Sequence, residues 1–309
     1  MTELSVIIPT YNPDTTRLRQ TLSALKSQSL PANRWELIIV DNNSSNNFRQ
    51  QLNLSWHPAA QIADETKQGL TYARLKGFNE STGNIIVMVD DDNMIESGYL
   101  EKALNIFGQN PQMGAIGGKS IPLFETDPPE WLCEFYGSLA LRDLGDTPVT
   151  SAWNNEYPTA APIGAGMVIK REALSSYMEK ITQGKNNLSD RTANSLSSGG
   201  DNDIVLEILK SGWQVGYFPQ LILQHIIPAQ RMQAGYLARL LNNTNKSWVQ
   251  LLQSHGINPW QQITKSGASL RKAKAWVTYK AWKNAAAYIK WQGACGMYDG
   301  LIKTSINDQ

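Results

Sequence analysis

Three short runs in the first ninety residues are apolar almost throughout: Leu-Ser-Val-Ile-Ile-Pro at 4–9, Glu-Leu-Ile-Ile-Val at 36–40 and Asn-Ile-Ile-Val-Met-Val at 84–89. Continuous rather than alternating apolar character suits strands covered on both faces, as in a parallel sheet with crossover helices. Each run leads into polar residues and then into a segment of helical period. In the first crossover Leu18, Leu22 and Leu25 recur at spacings of four and three, and Asp14 or Thr15 stands where a helix cap belongs. Between Gly69 and Glu80, Leu70, Ala73 and Gly77 share one face suited to close packing on a sheet. The order reads β-α-β-α-β-α-β, an α/β architecture.

From residue 119 onward that alternation stops. SIPLFETDPPEWL and DLGDTPVTSAWNNEYPTAAP are rich in proline and aromatic residues, and are expected to be loops that line a site. Regularity returns with GAGMVIKREAL at 164–174, a strand entering a helix, followed by GKNNLSDRTANSLSSGG, a polar stretch expected to be mobile. DNDIVLEILKSGW then reads as a helix ended by Gly212, and QVGYFP as a strand. Two more helices are expected over 232–254 and 269–292. The pattern divides the chain into an α/β domain at 1–228 and a helical extension at 229–309.

Composition narrows the class. With 309 residues, 41% hydrophobic and 18% charged, the chain can bury one large core or two modest ones. A net charge of +1 gives no whole-molecule field for nucleic acid, yet residues 265–309 hold eight Lys or Arg against two Asp. In that tail Trp276, Tyr279 and Trp282 are spaced by threes among Lys272, Lys274, Lys280, Lys283 and Lys290. This describes either an amphipathic helix on an anionic membrane or a helix that covers the core with a solvated basic face. Cys133 and Cys295 match no zinc or redox spacing, which sets the expectation of free thiols in a reducing compartment. There is no leader-like N-terminus and no run of eighteen apolar residues, so a cytoplasmic protein is expected, with the inner face of the plasma membrane as its point of membrane contact.

The candidate chemistry sits where the apolar runs end. Thr10, Tyr11 and Asn12 follow the first run, Asp41, Asn42 and Asn43 the second, and Asp90, Asp91 and Asp92 the run at 84–89. Ligands collect at the carboxyl ends of strands in such sheets. Three adjacent carboxylates repel one another and call for solvent or a cation, and hard oxygen ligands suit Mg²⁺ or Mn²⁺. An isolated acidic triplet is more simply a solvated loop with one member capping a helix; its alignment with Asp41 and Thr10 is what favours a site. GAIGGKS is not a phosphate loop, because Met113 stands where a glycine is required, and GAGMVI lacks the third glycine of a dinucleotide fingerprint at Ile169.

Taken in order, VIIPTYN, IIVDNNSSN, GLTYARLKGFNESTGNIIVMVDDDN, GAGMVIKREAL and GGDNDIVLEILKSGWQVGYFP resemble the family 2 glycosyltransferases of GT-A fold, over residues 4 to 228. The resemblance implies transfer of a sugar from a nucleoside diphosphate, with a UDP-sugar as the expected donor, to an acceptor hydroxyl, with inversion and with a divalent cation, Mn²⁺ or Mg²⁺. It implies that Thr10 and Tyr11 lie beside the nucleoside, that Asp41 binds base or ribose, and that Arg74 contacts the nucleotide. Asp90 and Asp92 match the DXD motif with Asp91 between them, Asp92 being the expected metal ligand and Asp90 nearer the ribose. His225 is a further metal or diphosphate candidate, set against the simpler reading of a satisfied core histidine. Asp201 matches the catalytic aspartate. Gly200 replaces the glutamate that often precedes it, which leaves Asp203 as the alternative base.

A sugar hydroxyl needs a positioned carboxylate to take its proton, and a leaving diphosphate needs its growing charge stabilised. The expected acceptor is a glycan or lipid-linked molecule in a polysaccharide pathway. Two other classes remain open at this level: a nucleotidyltransferase or sugar-nucleotide pyrophosphorylase, and a non-catalytic carbohydrate-binding protein.

Overall fold

The computed structural model describes residues 2–183 and 199–303; the stretch expected to be mobile lies almost wholly outside them. The chain forms two compact units. One comprises Met1–Leu123, Ala140–Asn186 and Asp201–Ile227, the other Phe124–Leu139, Asn187–Gly200 and Pro228–Gln309.

The first unit is built on a nine-stranded sheet. Its strands are β1 (Leu4–Thr10), β2 (Trp35–Asp41), β3 (Ala60–Asp64), β4 (Ile85–Met88), β5 (Asn93–Ile95), β6 (Met113–Phe124), β7 (Val149–Ser151), β8 (Val168–Lys170) and β9 (Gln214–Ile227). The spatial order is β3-β2-β1-β4-β8-β6-β9-β5, with β7 also on β9. β3, β2, β1 and β4 run parallel. β8 joins β4 and β6 antiparallel, and β9 takes β5 and β7 antiparallel. Every residue of β1 and β2 is buried, as expected of strands with helices or loops on both faces.

The helices of this unit are α1 (Thr15–Lys26), α2 (Leu70–Glu80), α3 (Tyr99–Gln109), α4 (Arg171–Thr182) and α5 (Gly200–Lys210). Asp14 caps α1 by accepting from the N–H groups of Thr16 and Arg17 at 2.9 and 3.1 Å, and Leu18, Leu22 and Leu25 are its buried face. Between β2 and β3 the structure replaces the expected crossover helix with a single 3₁₀ turn at Phe48–Gln51. The residues 42–47 are Asn or Ser throughout, types whose side chains compete for backbone groups and so favour turns over helix. The strand at Met113–Phe124 takes in Ser120 to Phe124, the start of a stretch expected to be loop.

In the second unit α6 (Ala234–Ser254) and α8 (Ala285–Gly300) form the main helix pair, with α7 (Lys265–Thr278) beside α8. Gly293, Gly296 and Gly300 line α8 where a Cβ would strike Asn245, the Asn242 backbone and Val249 of α6, so the two helices meet at backbone distance. Asn242 and Asn245 seal that contact by donating to the carbonyls of Gln292 and Gly293 at 3.0 and 2.9 Å. The single helix expected over 269–292 is in fact two. Lys280 adopts a left-handed φ of 50°, and Asn284 starts α8 by accepting from the Ala287 N–H at 2.9 Å. The two cysteines are free, Cys133 exposed and Cys295 buried. No helix among the described residues is long and apolar enough to cross a membrane.

Gly77 shows what the sheet asks of α2: a Cβ there would overlap the Cγ2 atom of fully buried Ile7 on β1. Exposed Gly108 on α3 has nothing within 4 Å of its Cβ direction. Alanine should therefore act with opposite sign at the two positions. Gly108→Ala is expected to stabilise by about 0.5–1 kcal/mol. At Gly77 an overpacking cost of roughly 1–3 kcal/mol outweighs that helix gain, and urea midpoints read both changes.

Candidate functional site

A proline opens the site. The Ile7 carbonyl accepts from the Val89 N–H at 3.0 Å, and the next rung toward β4 would need an N–H on residue 9, which is Pro9. Pairing of β1 with β4 accordingly ends at Ile7↔Met88, whereas pairing with β2 continues to Thr10↔Asp41. The carboxyl ends of β1 and β4 are thus released from each other where the strand order β3-β2-β1-β4 reverses, the usual ligand position in such sheets.

The acidic triplet lies at that opening. The Thr10 hydroxyl donates to the Asp91 carboxylate. Asn93 accepts from the Asp90 N–H at 3.2 Å and donates to Asp92 Oδ1 at 3.1 Å. The register of β5 on β9 sets Asn93 opposite His225, and the Ile226 N–H donates to the Asp92 carbonyl at 2.9 Å. His225 Nε2 consequently stands 3.4 Å from Asp92 Oδ1, with the two side chains 5% and 7% exposed. Burial and then the neighbouring Asp92 charge push the Asp90 carboxyl above its ordinary range. Arg74 and His225 pull it down, and Asp201 pushes it up. Asp90, Asp92, Arg74, Asp201 and His225 therefore share one electrostatic neighbourhood.

Asp201 is brought there by the glycine turn before β8. The Gly166 N–H donates to the Met88 carbonyl at 3.0 Å and the Met88 N–H to the Met167 carbonyl at 2.8 Å, so this turn flanks the end of β4 on the side away from β1. Gly166 has a φ of 74°, and its carbonyl accepts from the Tyr99 hydroxyl at 2.5 Å. Gly164 donates its N–H to Asp201 Oδ2 at 3.1 Å, while Arg74 Nη1 reaches Asp201 Oδ1 at 2.5 Å. A Cβ on Gly164 would fall inside the Asp201 carboxylate. Beside Asp201, the Tyr157 hydroxyl donates to Asn202 at 2.6 Å; burial and then the Asp201 charge push that phenol up.

Asp203, two residues along α5, goes elsewhere. It is buried and pairs with Lys180 at 2.6 Å, and Lys180 also holds Glu207 at 2.8 Å. Arg74, the expected nucleotide contact, is ion-paired with Asp201. On the β1–β2 side Tyr11 is 40% exposed at the strand tip. Asp41 is buried and braced, accepting from the Ser44 N–H at 2.9 Å and from Arg49 Nε at 2.6 Å, and Arg49 also grips Asp64.

The contacts of several polar residues at the strand ends, Asn12 and Asn42 among them, escape a reading of the sequence. Asn12, at a φ of 47°, ties the two strand tips together by accepting from the Ser45 and Asn46 N–H groups at 2.8 and 3.1 Å. Asn42 accepts from the Gly69 N–H at 2.7 Å, which fixes the start of α2 and with it Arg74. Asparagine's tolerance of left-handed backbone was the available signal for Asn12. Nothing in the sequence pairs Arg49 with Asp41. For a cation, the Asp92 carboxylate would supply the hard oxygen that Mg²⁺ and Mn²⁺ take, and the His225 imidazole beside it a nitrogen donor that suits Mn²⁺ better than Mg²⁺.

The family model for glycosyl transferase family 2 matches residues 5–174, more than half of the chain. A glucosyl-dolichyl phosphate glucuronosyltransferase of Haloferax volcanii is 26% identical over 149 residues, 46% of this chain and 46% of that protein. An N-acetylglucosaminyltransferase of Rhizobium meliloti is 24% identical over 240 residues, 73% of this chain and 51% of that one. The chain thus spans about half the length of these curated relatives. Among solved structures, the mannosyltransferase PcManGT of Pyrobaculum calidifontis in complex with GDP-Man and Mn²⁺ superposes with a TM-score of 0.59 at 17% identity, covering 96% of this chain and 86% of that one. TarS 1–349 of S. aureus in complex with UDP gives 0.54 at 12%, covering 96% and 89%. These likenesses show the GT-A fold.

Arg74 is 5% and Asp201 24% exposed at their side chains, so their pair is screened less than a surface one. A double-mutant cycle with Arg74→Met and Asp201→Asn is expected to give a coupling energy of about 1–3 kcal/mol in urea unfolding. Additivity within about 0.5 kcal/mol would mean that the pair is not formed in solution.

Proposed function

Because the chain belongs to glycosyl transferase family 2 and is a glycosyltransferase of GT-A fold, we propose that its site inverts the anomeric centre of a nucleoside diphosphate sugar, a UDP-sugar first, on transfer to an acceptor hydroxyl. The acceptor is a glycan or a lipid-linked molecule, the latter kind being named for the Haloferax volcanii relative. The observation that carries the reading is the placing of Asp201 beside the Asp90–Asp92 cluster while Arg74 and Gly164 hold its carboxylate.

The residues divide the work by position. Tyr11 and Thr10 at the end of β1, with Asp41 at the end of β2, receive the nucleoside, and Asp90 lies toward the ribose. Asp92, with His225 at its side, holds the divalent cation, Mn²⁺ or Mg²⁺. When bound, such a cation stabilises the charge that grows on the departing diphosphate. Asp201 is the general base: it takes the acceptor's hydroxyl proton as the new C–O bond forms on the face of the sugar opposite the leaving group. Its two donors fix the carboxylate, so the proton-accepting lone pair has a set direction. Asp203 is the weaker candidate for this role, since its side chain is 2% exposed against 24% for Asp201.

Incubation with a panel of sugar nucleotides, Mn²⁺ and candidate glycan or lipid-linked acceptors should release free nucleoside diphosphate. Asp201→Asn is expected to lower turnover by about 10²–10⁴ while leaving donor affinity nearly unchanged. Asp92→Ala and EDTA should instead abolish tight donor binding in calorimetry. Donor binding indifferent to both, or full turnover in Asp201→Asn, would sink the assignment. Pyrophosphate in place of nucleoside diphosphate would identify a nucleotidyltransferase.

A further inference from the structure

The second unit presents a surface that the transfer chemistry does not use. α7 leaves Leu270 73% and Val277 63% exposed; Tyr279 and Trp282 in the turn after it are 42% and 60% exposed. Singly exposed apolar residues are ordinary, but four within thirteen positions are a patch that calls for an occupant. Leu270, Lys274 and Val277 stand at i, i+4 and i+7, on one face of α7. Trp282 is not a loose side chain. Its ring lies 6.2 Å from that of Trp276, which packs edge-on to Trp291 at 4.6 Å. Trp291 is itself anchored by donating to the Lys272 carbonyl at 3.1 Å. The exposed indole therefore projects from a braced aromatic stack.

The charges on α7 and in the turn after it are all basic. Lys272 and Lys290 are paired with Asp299 and Glu134, whereas Arg271, Lys274, Lys280 and Lys283 are exposed and make no ion pair among the described residues. Residues 208–298 contain no Asp or Glu and eleven Lys or Arg. With the chain's 27 acidic residues spread evenly, that stretch of 91 would hold eight, so the segregation is marked. An apolar face with a braced indole and a basic rim is complementary to the boundary layer of a bilayer that carries anionic headgroups. A polyanion such as nucleic acid would use the basic rim and leave Leu270 and Val277 unexplained.

We infer that the α7 face, through Leu270, Val277 and Trp282 with Arg271, Lys274 and Lys283, docks the enzyme on an anionic lipid surface. The inference does not rest on the transfer reaction, because docking needs neither donor nor acceptor. Each basic group held at such a surface strengthens binding about fivefold, and the shallow apolar contacts add to this.

The full chain should co-sediment with phosphatidylcholine vesicles containing 30% phosphatidylglycerol at least tenfold more strongly than with pure phosphatidylcholine, and less so as salt is raised. Lys274→Glu with Lys283→Glu should remove the preference for anionic vesicles. Leu270→Ser with Trp282→Ala should weaken binding about tenfold and leave the remainder more sensitive to salt. Circular dichroism on each variant checks that the fold is kept. Vesicle binding that survives both double variants overturns the proposal, as does failure to bind at low salt. So does a concentration-dependent dimer that these variants dissolve, or tight oligonucleotide binding without vesicle binding.

Discussion

Like charge held close is the constraint around which the first unit is organised. Asp90, Asp91 and Asp92 end a buried strand side by side, and Asp201 is brought in to join them. Two unit charges 4 Å apart interact by about 4 kcal/mol at an effective dielectric constant of 20. Such an arrangement persists because each member is addressed separately: Asp91 by Thr10, Asp92 by Asn93 and His225, Asp201 by Arg74 and Gly164. Asp90 is buried beside the Asp92 charge, and its carboxyl responds by holding its proton more tightly.

The backbone serves this arrangement. Pro9 breaks the β1–β4 ladder where the aspartates begin, and the glycine turn at 164–166 takes up the far side of β4. Neither alanine at Gly164 nor a β-branched residue at Gly166 would fit, one for want of space and the other because its φ is positive. Asn12 and Asn42 hold the tips of β1 and β2 and the start of α2 in fixed relation, and Arg74 rides on α2. A side chain on a central helix thereby reaches a carboxylate 127 residues away in sequence.

How much of this could be read in advance follows the range of the interactions. The buried strands, the cap at Asp14 and the apolar face of α1 are local patterns, and they appear where the sequence indicates. The α/β class and the acidic strand end are equally legible, because strand ends in a parallel sheet fall on one edge. What sequence periodicity misses are elements decided by backbone chemistry or by distant partners. Polar residues 42–47 run as irregular chain into the 3₁₀ turn at Phe48–Gln51 in place of a helix, and Lys280 and Asn284 divide one periodic stretch into α7 and α8. The ion pairs Arg74–Asp201 and Arg49–Asp41 leave no local trace at all, since an arginine on a helix reads as a solvated charge until its partner is known.

The same electrostatics bears on what the opening between β1 and β4 can accept. Four carboxylates face it or flank it, and Arg74 and the His225 ring stand against them. A diphosphate entering alone would add two or more negative charges to an already negative edge, and each close pair would cost several kcal/mol at the dielectric values typical of protein sites. In the proposed reaction Asp92 would hold a divalent cation that offsets this charge, so one edge of the sheet could serve both a proton-accepting carboxylate and an anionic leaving group. In the proposed reaction Arg74 then has a second consequence. Its pairing with Asp201 gives that carboxylate on α5 a partner of its own, apart from Asp92 beyond the end of β4.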